Sequence, residues 1–168
     1  MMLLKAPWPA AECSHFVDTF FYGPGAFLVD EVTFADPADG VMQARVDTTR
    51  HMHYTSEQRG DPTLHPRHVN GGDLLTITGN LGCLHAYFFH GCRWDEGWVG
   101  FGAKIYRADF KNLALLGPPL LCRSVEMQKK RLSDRLIVRF DFEFTQGDKL
   151  IYTSEQSAIF TKDFVIPT

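Results

Sequence analysis

The chain has 168 residues with 45% hydrophobic and 22% charged side chains, a composition that excludes extensive disorder. Its formal net charge of -3 gives no basis for a nucleic-acid partner. The length predicts one domain, residues 1–168, with residues 1–24 as an N-terminal helical segment. No apolar run approaches the ~20 residues that span a bilayer, and the opening MMLLKAPWPA lacks the apolar core of a signal peptide. We therefore expect a cytoplasmic protein without a membrane partner.

The first part of the chain predicts a short helix and then a hairpin. Residues 10–21 place apolar side chains on one side of a helix, which Gly23-Pro24-Gly25 would end. Residues 26–34 and 41–46 are strand-like and are joined by a turn. Residues 48–68 are polar and predict a long loop. Loops of that length inside a compact domain are usually functional or mobile.

The stretch from Leu64 to His90 is the central feature of the sequence. It begins as a polar loop and becomes an uncharged run from Leu74 to Phe89. The apolar side chains in this run recur at steps of three and four residues, which is the period of a helix with a wide buried face. Such a helix must be surrounded by the rest of the chain.

The C-terminal part predicts antiparallel strands. Residues 98–110, 120–130, 136–144 and 149–161 follow a period of two, and the third of these shows the clearest alternation. Helix and strands are segregated in the sequence, which favours an α+β protein. A curved antiparallel sheet wrapped around one long central helix, the hotdog fold, satisfies this order, with a one-sided sheet and an α/β-roll as alternatives. Exposed strand edges also predict a homodimer.

The run HVNGGDLL at residues 68–75, ahead of the buried helix, resembles the hotdog acyl-thioester enzymes. It is most similar to the FcoT-like group of bacterial long-chain acyl-thioester hydrolases, in which Tyr54 and the strand LLCRSVEMQKKR at residues 120–131 also have counterparts. The resemblance extends from about residue 26 to residue 160. It implies a hydrolase that acts on an acyl group carried by acyl carrier protein or coenzyme A. Some relatives add glycine to a 2-enoyl thioester in lipid or polyketide pathways, so a coupled addition is also implied.

Candidate catalytic groups surround the start of the central helix. Thioester hydrolysis needs a base, a positioned water and donors for the developing oxyanion, and a helix N-terminus supplies N–H groups and a positive dipole. Gly71 and Gly72 would let a thioester carbonyl approach this backbone. His68 is the candidate base, and Asn70 is a neutral donor. Asp73 either stabilises the helix terminus or polarises the water.

Other side chains are candidates for substrate binding. Tyr54 is a catalytic candidate through the resemblance, and His65 is a substitute for His68. Asn80 is a polar group in the apolar helix, so its amide must find a partner, either the substrate carbonyl or the backbone. We expect the acyl chain to lie along the helix against Phe140 and Phe142.

Addition of glycine would need a cation for the carboxylate of the amino acid and a base for its ammonium group. Arg59 and Arg67 are the candidate cations. Glu57 and His68 are the candidate bases. All four lie in or next to the polar loop ahead of the helix.

Two rival chemistries share this fold: dehydration of β-hydroxyacyl thioesters and hydrolysis by the HGG-type mechanism. A β-hydroxyacyl-thioester dehydratase would need a carboxylate on the helix at a position that falls on Thr76 or Ile77, and neither can ionise. The common HGG-type thioesterases have a histidine where this chain has Asn70. A non-catalytic acyl-binding protein is the remaining alternative.

The histidine pairs of the loop, at residues 51 and 53 and at residues 65 and 68, match no strong zinc spacing. No cysteine joins them. We therefore expect neither a metal nor an organic cofactor.

Overall fold

The computed structural model describes residues 4–165, and a six-stranded antiparallel sheet forms most of its fold. The strands are β1 Glu31–Asp36, β2 Val41–Val46, β3 Trp98–Phe110, β4 Leu120–Arg131, β5 Arg135–Gln146 and β6 Lys149–Lys162. Their order in the sheet is β1-β2-β4-β5-β6-β3, so β1 and β3 are its edges. Residues 1–3, which belong to the segment compared with a signal peptide, and residues 166–168 lie outside the described range.

Three helices accompany the sheet: α1 Ala10–Thr19, α2 His53–Ser56 and α3 Gly71–Leu84. The buried side chains of α3 share one core with the inward side chains of the sheet. The predicted arrangement of one long central helix against an antiparallel sheet is therefore confirmed. Within residues 4–165, no helix is long and apolar enough to cross a membrane.

The inner face of the sheet follows the alternation of the sequence. Along β5 every second side chain is buried against α3, and these side chains are Leu136, Val138, Phe140, Phe142 and Phe144. Each buried aromatic or aliphatic side chain of this kind contributes roughly 1.5–3 kcal/mol. Because side chains on a strand alternate between faces, shifting β5 by one residue would expose all five.

The strand predicted over residues 26–34 is wrong in its first half. Strand β1 begins only at Glu31, after a 3-10 turn at Pro24–Ala26. The segment between them is buried, and its backbone joins the sheet only at Asp30, whose N–H donates to the Arg45 carbonyl at 3.1 Å, whereas the Leu28 N–H donates to the Asn80 side chain at 2.7 Å. A side-chain acceptor thus replaces a strand partner, which a sequence pattern does not show.

The loop predicted over residues 48–68 contains a short helix, α2 at His53–Ser56. Its N-terminal backbone is held by a carboxylate of α3, as described below. The prediction of a loop was wrong for these four residues, because their helical conformation depends on a partner far along the chain.

The last turn of the central helix is a π-helical turn at His85–Phe89. In a regular α-helix, residues five apart point in different directions, whereas a π-turn aligns them. His85 and His90 consequently reach the same carboxylate oxygen of Glu126, at 3.0 and 2.7 Å. Such turns often occur at functional sites.

Candidate active site

The carboxylate of Asp73 joins α2 to the start of α3. Its side chain is buried, Oδ1 accepts the Tyr54 N–H at 3.3 Å, and Oδ2 accepts the Thr55 N–H and hydroxyl at 2.7 and 2.6 Å. The Thr55 oxygen in turn accepts the Asn70 N–H at 2.9 Å. Both oxygens of Asp73 therefore hold α2 in place, and this geometry favours a structural role over polarisation of a water.

Asn70 caps α3. Its side-chain oxygen accepts the Gly72 N–H at 2.8 Å, and its carbonyl accepts the Leu74 N–H at 3.0 Å. This is the arrangement of an N-cap residue. The Gly72 N–H is therefore already satisfied, and an oxyanion at this terminus would need another donor.

Two aromatic rings cover the glycines at the start of α3. A Cβ on Gly72 would lie 2.7 Å from the Tyr54 ring, and a Cβ on Gly71 would lie 3.0 Å from the Phe110 ring. The residues Tyr54 and Phe110 are 53% and 55% exposed. The absence of side chains on the two glycines thus leaves room for these rings.

His68 is half-buried beside this terminus, and its ring orientation is set locally. Nδ1 lies 2.8 Å from the Pro66 carbonyl, which can only accept, so Nδ1 carries the proton. The Gln58 amide holds the backbone of His68 through two bonds of 3.2 and 2.8 Å. In this tautomer Nε2 is the atom able to take up a proton.

His65 is exposed and lies beside His68, with 5.2 Å between their ring centroids. Mutual backbone bonds with Asp61, at 2.8 and 2.9 Å, hold it in a tight turn. Among the described residues, no group of three or more histidine, cysteine, aspartate or glutamate side chains could hold a metal ion.

The charged candidates for glycine binding lie on the outside of the loop. Glu57, Arg59 and Arg67 are exposed. The stem of Arg67 packs where a Cβ of Gly60 would lie, and Gly60 adopts a left-handed backbone with φ of 43°. The structure brings Tyr54, Asn70, the two glycines and Asp73 together but leaves these three charges at the surface.

A cavity of about 370 Å³ lies between α3 and the sheet. One wall is the face of α3 from Thr76 to Cys83, and the opposite wall includes Phe140 and Phe142, the two side chains predicted to contact an acyl chain. The early part of edge strand β3, with the exposed Phe101, also borders it. Cavities of this size and apolar lining are typical of small-ligand sites.

A polar stripe on β6 leads into this cavity. The Gln156 amide, which lines the cavity, donates to the Tyr152 hydroxyl at 3.2 Å and to Ser154 Oγ at 3.0 Å, and it accepts from Thr78 at 3.3 Å. Burial raises the pKa of Tyr152. The Tyr152 ring contacts Phe110, with 5.1 Å between centroids, so the stripe extends toward the start of α3. Tyr152, Ser154 and Gln156 are spaced two residues apart along β6. This spacing in the sequence could have predicted the polar stripe, but we did not predict it.

Asn80 is bonded to backbone. Its Oδ1 accepts the Leu28 N–H at 2.7 Å and its Nδ2 donates to the Ala26 carbonyl at 3.1 Å. The side chain borders the cavity. Of the two partners predicted for this amide, the structure shows the backbone.

A second polar cluster is buried at the far end of α3. His85 Nε2 lies 2.8 Å from Ser124 Oγ, and His85 Nδ1 lies 3.0 Å from Glu126 Oε1. This is the order of groups in a serine–histidine–acid triad. Ser124 and His85 are fully buried and neither lines the cavity, so the cluster satisfies buried polar groups. Glu126 and Ser124 lie on the inward face of β4. In the sequence, a carboxylate on this face was the signal that a buried polar partner would be needed.

The charge of Glu126 is stabilised by its neighbours. Burial alone raises the pKa of Glu126, but hydrogen bonds and charges from His85 and His90 outweigh it, and the pKa falls well below its ordinary range. Lys129 contacts the other carboxylate oxygen at 3.1 Å. Burial lowers the pKa of His85, and the bond to Glu126 opposes this only in part.

Removing the Asp73 carboxylate is expected to destabilise the fold without abolishing chemistry. In Asp73→Ala, buried donors of α2 lose their acceptor, and the free energy of unfolding should fall by about 3 kcal/mol. Urea unfolding measures this, with exposed Asp134→Ala as the matched control. A variant that unfolds like the native protein but loses turnover would show that Asp73 is catalytic after all.

Together, the six-stranded antiparallel sheet, the central helix and the cavity between them define a protein of the hotdog fold. A thioesterase from Haemophilus influenzae superposes with a TM-score of 0.56 over 92% of this chain and 94% of its own, at 14% identity. The PaaI protein from the phenylacetic acid degradation operon of E. coli gives 0.51 over 76% and 79%, at 12% identity. AziG of S. sahachiroi gives 0.52 over 78% and 90%, at 14% identity. No protein-family model matches the chain, and no curated protein matches it in sequence.

Proposed function

We propose that this protein hydrolyses acyl thioesters and holds the acyl group in the cavity beside α3. The cavity is the observation that carries the proposal: an apolar space of about 370 Å³ runs along the central helix of a fold shared with proteins named as thioesterases. The polar end groups of a thioester would lie toward Thr76 and the start of the helix, and the acyl chain would lie against the phenylalanines of β5.

The proposed reaction uses His68 as the base. Nε2 takes a proton from a water, and the water oxygen forms a bond to the thioester carbonyl carbon. The N-terminus of α3 stabilises the oxyanion through its dipole. The carbon–sulfur bond then breaks, the proton passes to the thiol sulfur, and a carboxylic acid and a free thiol leave.

The lining of the cavity favours hydrolysis over dehydration. Among the described residues that line it, none is a carboxylate, the group that dehydration would need on the helix. Thr76 occupies the place of the acid that dehydration would need, and its hydroxyl donates to the Gly72 carbonyl at 3.0 Å. Ile77, the other position, is fully buried.

We also propose that two copies pair along β3. This edge strand exposes Phe101, Ile105, Tyr106 and Phe110, and a row of unpaired strand groups beside apolar side chains invites a second strand. Because the start of β3 borders the cavity, a partner strand would cover its opening. Sedimentation equilibrium tests this part: a monomer at micromolar concentration would contradict it.

The finer predictions concern the carrier and a coupled addition. Through its resemblance to the FcoT-like group, the chain is proposed to act on 2-enoyl groups held by acyl carrier protein or coenzyme A, with glycine added at the β-carbon before release. Arg59, Arg67 and Glu57 are exposed in the loop and so would have to close on the substrate.

Mass spectrometry of products from decanoyl- and 2-decenoyl-thioesters tests these proposals. Each acyl group is presented on coenzyme A and on acyl carrier protein, with and without glycine. Free acid from either carrier supports the hydrolase. An N-carboxymethyl-β-amino acid that forms only with glycine supports the coupled addition. Hydrated thioester without free acid would overturn the proposal in favour of dehydration, and unchanged substrate in every mixture would leave only an acyl-binding protein.

A further inference from the structure

Three consecutive aromatic residues border the cavity toward the C-terminal end of α3, where two of them contact Trp94 and Trp94 contacts Tyr87. Phe20, Phe21 and Tyr22, here called the wall segment, line the cavity, as does Cys83 near the end of α3. They follow directly after α1 and pack in a row, with centroid separations of 4.9 Å from Phe20 to Phe21 and from Phe21 to Tyr22. An acyl chain that enters near Thr76 would end against these rings.

The wall segment is held in place from its N-terminal side by polar contacts of α1. Glu12 pairs with Arg93 at 2.6 Å, and His15 pairs with Asp95 at 3.2 Å. The second nitrogen of His15 bonds to the hydroxyl of the buried Tyr87. These contacts tie α1 to the end of α3 and to the turn that follows.

On its C-terminal side the wall segment is held by Asn80. That side chain bonds to Ala26 and to Leu28 at 3.1 and 2.7 Å, as described above. Between the two anchors, a Cβ on Gly23 or Gly25 would meet nothing within 4 Å. The turn between the wall segment and Ala26 is therefore open around these glycines, whereas the ring of Phe20 packs against Phe27 and the ring of Phe21 packs against Trp94.

The size of the cavity defines the ligand that would fit. At the ~30 Å³ that one water-sized group occupies, 370 Å³ holds about twelve such groups. The helix face from Thr76 to Cys83 spans about 10 Å, since each helical residue rises about 1.5 Å. An acyl chain of about eight to twelve carbons matches both values.

We propose that the wall segment sets the acyl-chain length that this protein accepts, for chains of about eight to twelve carbons, and that Asn80 positions it. The inference rests on the proposed function only in that an acyl chain occupies the cavity. Each further methylene that the cavity buries contributes ~0.8 kcal/mol, or about fourfold in affinity, until the chain meets the wall.

Opposite changes in the size of one ring provide the test. Phe21→Ala removes a phenyl ring, so the tightest-binding chain should lengthen by about two carbons or more, with about fourfold gained per added methylene. Phe21→Trp should shorten it. Dissociation constants for saturated fatty acids of about six to sixteen carbons, measured by isothermal titration calorimetry, report the optimum without any need for turnover.

Three companion variants sharpen the result. Phe34→Ala removes an exposed ring on β1 outside the cavity and should leave the optimum unchanged. Tyr22→Ala alters a wall residue that is 58% exposed and so does not depend on core packing. Asn80→Asp replaces the amide nitrogen that donates to the Ala26 carbonyl by an oxygen, which cannot donate. Because this frees the C-terminal side of the wall segment, the chain-length preference should broaden about as much as it does in Tyr22→Ala.

The outcomes separate the two proposals. If no fatty acid binds the native protein, both the acyl cavity and the wall inference are overturned. If fatty acids bind but Phe21→Ala, Phe21→Trp and Tyr22→Ala keep the native optimum, the wall inference is overturned and the hydrolase proposal stands. Opposite shifts of the two Phe21 variants support the wall.

Discussion

Replacing His68 by alanine is expected to lower kcat for acyl-thioester hydrolysis by about 10²- to 10⁴-fold, the usual contribution of a positioned base. The Pro66 carbonyl fixes the proton on Nδ1 and so leaves Nε2 to accept one from water. The Gln58 amide holds the backbone rather than the ring, so the fold should tolerate the change. Stability should change by about 0.5 kcal/mol or less.

Steady-state kinetics with decanoyl-coenzyme A checks this prediction. His51→Ala is the matched control, since His51 is an exposed histidine near α2 that the proposed mechanism does not use. If His68→Ala retains turnover within twofold of the native protein, the base lies elsewhere, and the edge strand of a second copy becomes the place to search.

Replacing Glu126 by glutamine should lower the free energy of unfolding at neutral pH by about 3 kcal/mol. The carboxylate is buried and contacts His85, His90 and Lys129 at once. Glutamine keeps the size of the side chain but removes the charge, which leaves His90 and Lys129 without their partner. Exposed Glu143→Gln on β5 should change stability by about 0.5 kcal/mol or less and serves as the control.

The pH dependence of this difference has a defined sign. Because the folded pKa of Glu126 is lowered, its contribution is fully present above the ordinary glutamate pKa of about 4.3 and is lost as the pH falls below it. One unit below that value, the gap between native protein and Glu126→Gln should be about 1.4 kcal/mol smaller than at pH 7. Urea unfolding at both pH values measures it. An unchanged gap would mean that the pKa of Glu126 is the same in the folded and unfolded chains.

His85 adds a separate pH effect at higher pH. Because the pKa of His85 is lowered in the fold, the unfolded chain binds a proton at a higher pH than the folded chain does. The free energy of unfolding should therefore begin to fall as the pH drops below the ordinary histidine pKa of about 6.5. Both groups therefore destabilise the protein in acid. They do so in successive pH ranges.

Several parts of this molecule follow from local chemistry and were predictable. The alternation through Phe140 and Phe142 and the helical period after Leu74 depend only on which side chains avoid water, so the sheet and the buried helix could be predicted. The cluster of Asn70, the glycine pair and Asp73 was also predictable, because caps and small residues mark a helix start.

The contacts of those residues depend on partners that are distant in the sequence. Asp73 was predicted either to stabilise the helix terminus or to polarise a water, and the structure shows that both of its oxygens accept hydrogen bonds from α2. Gly71 and Gly72 were predicted to let a thioester carbonyl approach the backbone, and the structure places the rings of Phe110 and Tyr54 where a Cβ of each would lie.

The composition and pattern of this sequence alone determined an α+β protein with one buried helix inside an antiparallel sheet. The cavity beside Thr76, the aromatic wall segment that borders it and the buried Glu126 cluster came only from the tertiary structure. The physical reason is that hydrophobic periodicity acts within one element, whereas a buried polar group is satisfied by whichever element the fold brings against it. Asn80 shows the difference: its place in an apolar helix required a partner, and only the fold could show that the partner is the backbone at residues 26 and 28.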